Sequence, residues 1–96
     1  MAQANSTRRY VVTGRVQGVG FRWFVEYEAR QLGVGGWVRN RQDGSVEVVA
    51  CGTEKQLGEL YDQLRKGPRA ARVDNVEVLD APPLKDSKSF QIEGAW

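Results

Sequence analysis

The chain has 96 residues, the length of one domain. Its 14 Lys and Arg, most of them Arg, stand against 12 Asp and Glu, and the net charge of +2 is too small to indicate a nucleic-acid or membrane partner. His is absent and Cys occurs once, which excludes zinc sites built from Cys and His, nucleophiles paired with an imidazole, and an internal disulfide.

No apolar run is long enough to cross a bilayer, and the sequence does not open with a basic segment followed by an apolar stretch. We therefore expect a cytoplasmic protein. The small polar residues 1–7 predict a flexible N-terminal tail, and residues 8–96 predict a single domain.

The first half of the chain shows a strand, a helix and a hairpin. Residues 8–16 are rich in β-branched and aromatic side chains, which predicts a strand. Apolar residues recur at helical spacing over 21–32, and Gly33 is placed to end that helix. Asp43 and Gly44 lie between two strand-like runs, 36–41 and 45–51, which indicates an antiparallel hairpin.

The second half predicts one more helix and two strands. Thr53 and Gln56 have the spacing of a capping box, and the helix that they open ends before Gly67 and Pro68. Apolar residues alternate with polar ones around 75–79 and again over 89–93. The order β-α-β-β-α-β predicts an α+β, ferredoxin-like sandwich: two helices pack on one face of an antiparallel sheet, the other face meets solvent, and a short fifth strand lies at an edge.

The segment "GRVQGVGFR", residues 14–22, joins the first strand to the first helix. It lacks the Lys and Ser or Thr of a Walker loop, and Trp23 stands where a dinucleotide-binding fingerprint needs Gly or Ala. Unpaired backbone N–H groups and the helix dipole at such a turn favour an anion. From the residues alone, an anion site and a plain chain reversal by glycines both remain open.

Three segments together resemble the acylphosphatase family. They are "GRVQGVGFR", "GVGGWVRN" and "DGSVE", which match the patterns G-x-V-Q-G-V-x-F-R, G-x-x-G-W-V-R-N and D-G-x-V-E. The resemblance implies a ferredoxin-like fold and hydrolysis of the carboxyl–phosphate bond of acyl phosphates, without a metal or another cofactor.

The resemblance also implies the site residues. Arg22 would bind the phosphate and Asn40 would orient the attacking water. The phosphate-binding backbone N–H groups would belong to Gln17, Gly18, Val19, Gly20, Phe21 and Arg22. Inorganic phosphate or a similar anion would act as product or inhibitor, and we expect a monomer with no nucleic-acid or membrane partner.

Several side chains near the motifs have two interpretations. Arg15, Arg39 and Arg41 could form a positive approach for substrate or be ordinary solvated charges. Trp23 and Trp37 could border the site or pack into the fold.

Two other functions use the same element order or the same cradle. An RNA-binding module would stack bases on strand aromatics, which "VEVVACG" does not offer. A non-catalytic domain that binds a small anion would not need Asn40.

Overall fold

The computed structural model describes residues 5–84 and 88–94. In these residues the elements are β1 (Ser6–Arg15), α1 (Phe21–Leu32), β2 (Gly35–Asn40), β3 (Val46–Gly52), α2 (Glu54–Lys66), β4 (Arg72–Asp80) and β5 (Phe90–Ile92). The predicted β-α-β-β-α-β order and the short fifth strand are confirmed. Neither helix is long and apolar enough to cross a membrane.

Strand β1 begins earlier than the sequence pattern indicates. Ser6 and Thr7 pair with Gly52 and Cys51 of β3, so these two residues belong to the sheet and not to a tail. The described residues do not include residues 1–4 of the predicted flexible tail. They also do not include residues 85–87 and 95–96 of the predicted domain.

The strands form one sheet in the order β4-β1-β3-β2-β5. The four longer strands pair antiparallel as predicted, whereas β5 pairs in parallel with β2, which makes the sheet mixed. Strands β4 and β5 lie at opposite edges of the sheet. Strand β4 runs opposite to β1, whereas β2 runs in the same direction as β1 because both are antiparallel to β3; β5 runs opposite to β4 and is therefore parallel to β2.

Both helices cover the same face of the sheet. In α1 the buried residues are Phe21, Val25 and Ala29, spaced by four, and α2 buries Leu57, Leu60 and Leu64. These side chains meet the inward-facing valines of the strands in one core. The helical and strand periodicities of the sequence therefore define the same buried layer.

The opposite face of the sheet is partly covered by its own side chains. On β3, Glu47 and Val49 point to this face, yet they are only 4% and 6% exposed. Oε1 of Glu47 accepts a hydrogen bond from Nε of Arg39 at 2.7 Å, and its Oε2 lies 2.6 Å from Nε of Arg9. The expectation that this face simply meets solvent is wrong for the central strand, because two arginines reach across it from the neighbouring strands.

Candidate active site

The glycine loop between β1 and α1 is anchored by apolar side chains at both ends. Val16 and Phe21 are each 1% exposed, and Val19 packs against the same core. Between these anchors, Gly18 and Gly20 adopt left-handed conformations with φ of 73° and 76°. Because such values are strained for other residues, the two glycines allow the backbone to curl while the apolar residues hold it in place.

The N-terminus of α1 differs from that of α2. Within the described part of the chain, Gly20 caps α1 without a side-chain hydrogen bond, and the first turn has no acidic residue. Helix α2, in contrast, has the predicted capping box of Thr53 and Gln56, with Glu54 in its first turn. The usual stabilisation of a helix start is missing at α1, where Arg22 even adds positive charge to the positive end of the dipole.

The backbone donors of the loop remain available. Among the described residues, no backbone–backbone hydrogen bond is donated by residues 17–23, and the first one is from N–H of Phe24 to the carbonyl of Gly20 at 3.1 Å. A series of N–H groups at a helix N-terminus, next to a guanidinium, is suited to an anion.

The side chain of Gln17 connects this loop to the β2–β3 hairpin. Its Nε2 donates to the carbonyl oxygens of Arg41 and Ser45, at 2.7 and 2.9 Å. The amide thereby fixes the loop against the residue that follows Asn40 in the chain. The family motif implies only a backbone role for Gln17, because it shows that a glutamine is present but not where its side chain reaches.

A cavity of about 340 Å³ opens at this junction. Its lining residues are Gln17, Gly18, Gly20, Phe21, Arg22, Trp23 and Asn40. The fold thus brings Arg22 and Asn40, the two predicted catalytic residues, to one cavity from α1 and from the end of β2. Of the predicted phosphate-binding residues, Val19 does not line the cavity, because its side chain packs toward the core.

Arg22 is further oriented by the chain after β5. Its Nη1 donates to the carbonyl oxygen of Glu93 at 3.4 Å, a long hydrogen bond, and the N–H of Glu93 donates to the carbonyl of Val38 at 2.8 Å. The parallel pairing of β5 with β2 therefore determines what Arg22 contacts. This contact was not predictable from the sequence, because it depends on the pairing of two strands that are far apart in the chain.

The predicted hairpin turn is present, and the side chain of Asp43 stabilises it. Oδ1 of Asp43 accepts hydrogen bonds from the side chain and the backbone N–H of Ser45, at 2.6 and 2.9 Å. These two bonds lower the pKa of the Asp43 carboxyl. The anionic form of Asp43 therefore stabilises the turn that follows Asn40.

The flanking side chains separate into two groups. Arg39 lies on the face opposite the helices, paired with Glu47 and 5.0 Å from the ring of the half-buried Trp37. Neither of these residues lines the cavity, so of the two interpretations of Trp37 the structure favours packing. Trp23 does line the cavity and is 72% exposed.

The described residues contain no cluster of three or more His, Cys, Asp or Glu side chains placed to hold a metal ion. The polar groups at the cavity are a guanidinium, two side-chain amides and backbone N–H groups. Such a set can neutralise an oxyanion and position a neutral molecule beside it.

The fold and this cavity define a ferredoxin-like α+β domain whose first helix begins at a cavity lined by a glycine loop, Arg22 and Asn40. The sequence profile of the acylphosphatase family matches residues 8–92. The chain therefore belongs to the acylphosphatase family, whose enzymes hydrolyse acyl phosphates.

Individual relatives agree with this assignment. An acylphosphatase of Koribacter versatilis (strain Ellin345) is 67% identical over 96 residues, which cover 100% of this chain and 87% of that relative. The crystal structure of acylphosphatase from Bacillus subtilis has a TM-score of 0.88 and 37% identity, covering 95% of this chain and 100% of that one. An acylphosphatase structure from Coxiella burnetii has a TM-score of 0.86 and 36% identity, covering 93% of each chain.

Proposed function

We propose that this chain hydrolyses the carboxyl–phosphate bond of acyl phosphates without a metal, with Arg22 and the loop amides binding the phosphate and Asn40 orienting the attacking water. The observation that carries the proposal is the single cavity lined by the glycine loop, Arg22 and Asn40. The products are a carboxylate and inorganic phosphate, and the phosphate leaves from the same cradle.

Phosphate binding would use groups at the start of α1. Among the described residues, the N–H groups of residues 17–22 donate no backbone–backbone hydrogen bond, and the helix dipole adds positive potential there. Arg22 can form a two-point contact with phosphoryl oxygens. A bound phosphate would supply the negative charge that the first turn of α1 lacks.

The attacking water would be positioned by Asn40. An amide side chain can donate to one partner and accept from another, but it is too weak a base to remove a proton from water. We assign Asn40 the task of holding the water in line with the phosphorus, a contribution from orientation. The proton would then pass to an oxygen of the substrate's own phosphate.

The leaving group needs no assistance from an acid. An acyl phosphate releases a carboxylate, whose conjugate acid has a pKa near that of Asp or Glu, so the departing oxygen is stable without protonation. Phosphoryl transfer then depends on neutralising charge and aligning the nucleophile. These tasks match the guanidinium, the backbone amides and the amide side chain at the cavity, which is why we propose a reaction that needs no metal.

The first test is phosphate release from benzoyl phosphate in excess EDTA, with Arg22→Gln beside the wild-type protein. We expect activity in EDTA and a loss of at least about 10²-fold in the variant, because a contact that strengthens in the transition state is removed. The matched control is Arg15→Gln, which removes an exposed positive charge that does not line the cavity. An equal loss in both variants, or a requirement for metal, contradicts the proposal.

The second test separates binding from turnover. Asn40→Ala is expected to lower kcat strongly while the inhibition constant of inorganic phosphate changes little, because the defect concerns the water. Asn75→Ala, on the exposed strand β4, is the matched control. A parallel loss of phosphate affinity in Asn40→Ala would refute this division of roles.

We also propose that the protein works as a monomer in the cytoplasm. The cavity is formed by elements of one chain, and the single Cys51 suits a reducing compartment. Sedimentation of the purified protein tests the monomer, and fractionation of the source cells tests the compartment.

A further inference from the structure

Trp23 has an unusual environment for a tryptophan. It lies in the first turn of α1, is 72% exposed, and lines the cavity that contains Arg22 and Asn40. Burying an indole contributes strongly to stability, so an indole left in solvent beside a site suggests a contact with a ligand.

The core does not need this side chain. The neighbouring Phe24 packs against Phe21, with ring centroids 5.9 Å apart, and Val25 is fully buried. The apolar face of α1 is therefore complete without Trp23, which points away from it. The packing interpretation of Trp23 in the sequence analysis is thus not supported by its surroundings.

The roles proposed for the glycine loop, Arg22 and Asn40 leave the acyl half of the substrate without a contact. The glycine loop and Arg22 account for the phosphate, and Asn40 accounts for the water. The acyl group has to extend from the phosphate toward solvent, and Trp23 is the large apolar side chain at this rim. Its flat face is suited to stack on a planar, apolar group.

We infer that Trp23 is a specificity-determining residue that contacts the acyl half of the substrate and favours aromatic acyl phosphates over small aliphatic ones. This inference rests on the proposed function. Stacking on one exposed ring contributes only about 0.5–1.5 kcal/mol. Trp23 would therefore favour aromatic acyl groups without being required for hydrolysis.

The test compares benzoyl phosphate with acetyl phosphate. These substrates share the carboxyl–phosphate bond and differ in the acyl group. For Trp23→Ala we expect kcat/KM to fall about three- to tenfold with benzoyl phosphate and by less than about twofold with acetyl phosphate. The inhibition constant of inorganic phosphate should stay unchanged, because the cradle is intact.

Two further variants make the test specific. Trp23→Phe keeps an aromatic face and should retain most of the preference for benzoyl phosphate. Tyr27→Ala removes another exposed aromatic side chain, one turn further along α1, which does not line the cavity. We expect Tyr27→Ala to leave the ratio of the two kcat/KM values unchanged.

Three results would overturn the inference. The first is an equal change with both substrates in Trp23→Ala, and the second is the same loss of preference in Tyr27→Ala. The third, hydrolysis of neither substrate by the wild-type protein, overturns the proposed function and this inference together. The first result, obtained with a protein that hydrolyses both substrates, refutes the role of Trp23 alone.

Discussion

Replacing Gln17 with Ala removes the connection between the glycine loop and the β2–β3 hairpin. Two hydrogen bonds are lost, to the carbonyls of Arg41 and Ser45. Both carbonyls keep a backbone partner, because that of Arg41 also accepts from Gly44 and that of Ser45 also accepts from Arg41. At about 1 kcal/mol for each bond, we expect a loss of about 2 kcal/mol of unfolding free energy, or roughly 10 °C in Tm.

The effect on catalysis should exceed the effect on phosphate binding. The loop amides and Arg22 lie next to each other at the start of α1, whereas Asn40 belongs to the strand from which the loop has been released. A displacement of about 1 Å between the two halves costs on the order of 10²-fold in turnover. We therefore expect kcat for benzoyl phosphate to fall about 10- to 100-fold, with a much smaller change in the inhibition constant of phosphate.

Two further variants test whether the effect is specific to the Gln17 side-chain amide. Gln42→Ala removes an exposed glutamine from the hairpin turn and should leave both stability and kcat near the wild-type values. Gln17→Glu places a carboxylate against two carbonyl oxygens, so it should lose more activity than Gln17→Ala. A folded Gln17→Ala protein with wild-type kcat would refute the role of this connection.

Two other predictions concern stability alone. Gly36→Ala should lower the free energy of unfolding in urea by about 1–3 kcal/mol, because Gly36 has φ of 137° and an added Cβ would overlap the Val49 carbonyl oxygen. Gly58→Ala, in open space on α2, should raise this free energy by about 0.5–1 kcal/mol. Equal effects of the two substitutions would contradict the steric argument. Burial raises the pKa of Tyr10 to about 12, so the stability linked to its neutral hydroxyl is complete below the ordinary tyrosine pKa and is lost as the pH rises toward 12. Urea unfolding between pH 9 and about 12 should therefore show a steeper loss of stability in the wild-type protein than in Tyr10→Phe, and parallel curves would refute the assignment.

The local elements were predictable from the sequence because their signals are local. The capping box of Thr53 and Gln56 and the Asp43–Gly44 turn each specify a few adjacent residues, and the structure has both. The burial of Glu47 was not predictable in the same way. Alternation places Glu47 on the outer face, but its coverage depends on arginines from two other strands.

In the site, too, the features encoded by local motifs were predictable and the contacts between distant parts of the chain were not. The sequence motifs located the glycine loop, Arg22 and Asn40, and the fold brings them to one cavity. The hydrogen bonds of Gln17 and the contact of Arg22 with Glu93 span 24 to 71 positions in the chain. Such contacts depend on the strand order, and the parallel placement of β5 was not indicated by its three-residue pattern.

Because we propose that an oxyanion binds at the uncapped start of α1, we expect the measured stability of this protein to depend on the buffer. An oxyanion that binds the native loop and not the unfolded chain raises the unfolding free energy by RT ln(1 + [L]/Kd), about 2.7 kcal/mol at a hundredfold excess over Kd. That gain is as large as the loss expected from Gln17→Ala. Because Gln17→Ala is expected to change the phosphate affinity little, a phosphate buffer would raise the unfolding free energy of the wild-type and variant proteins by similar amounts, and the two should be compared in the same buffer.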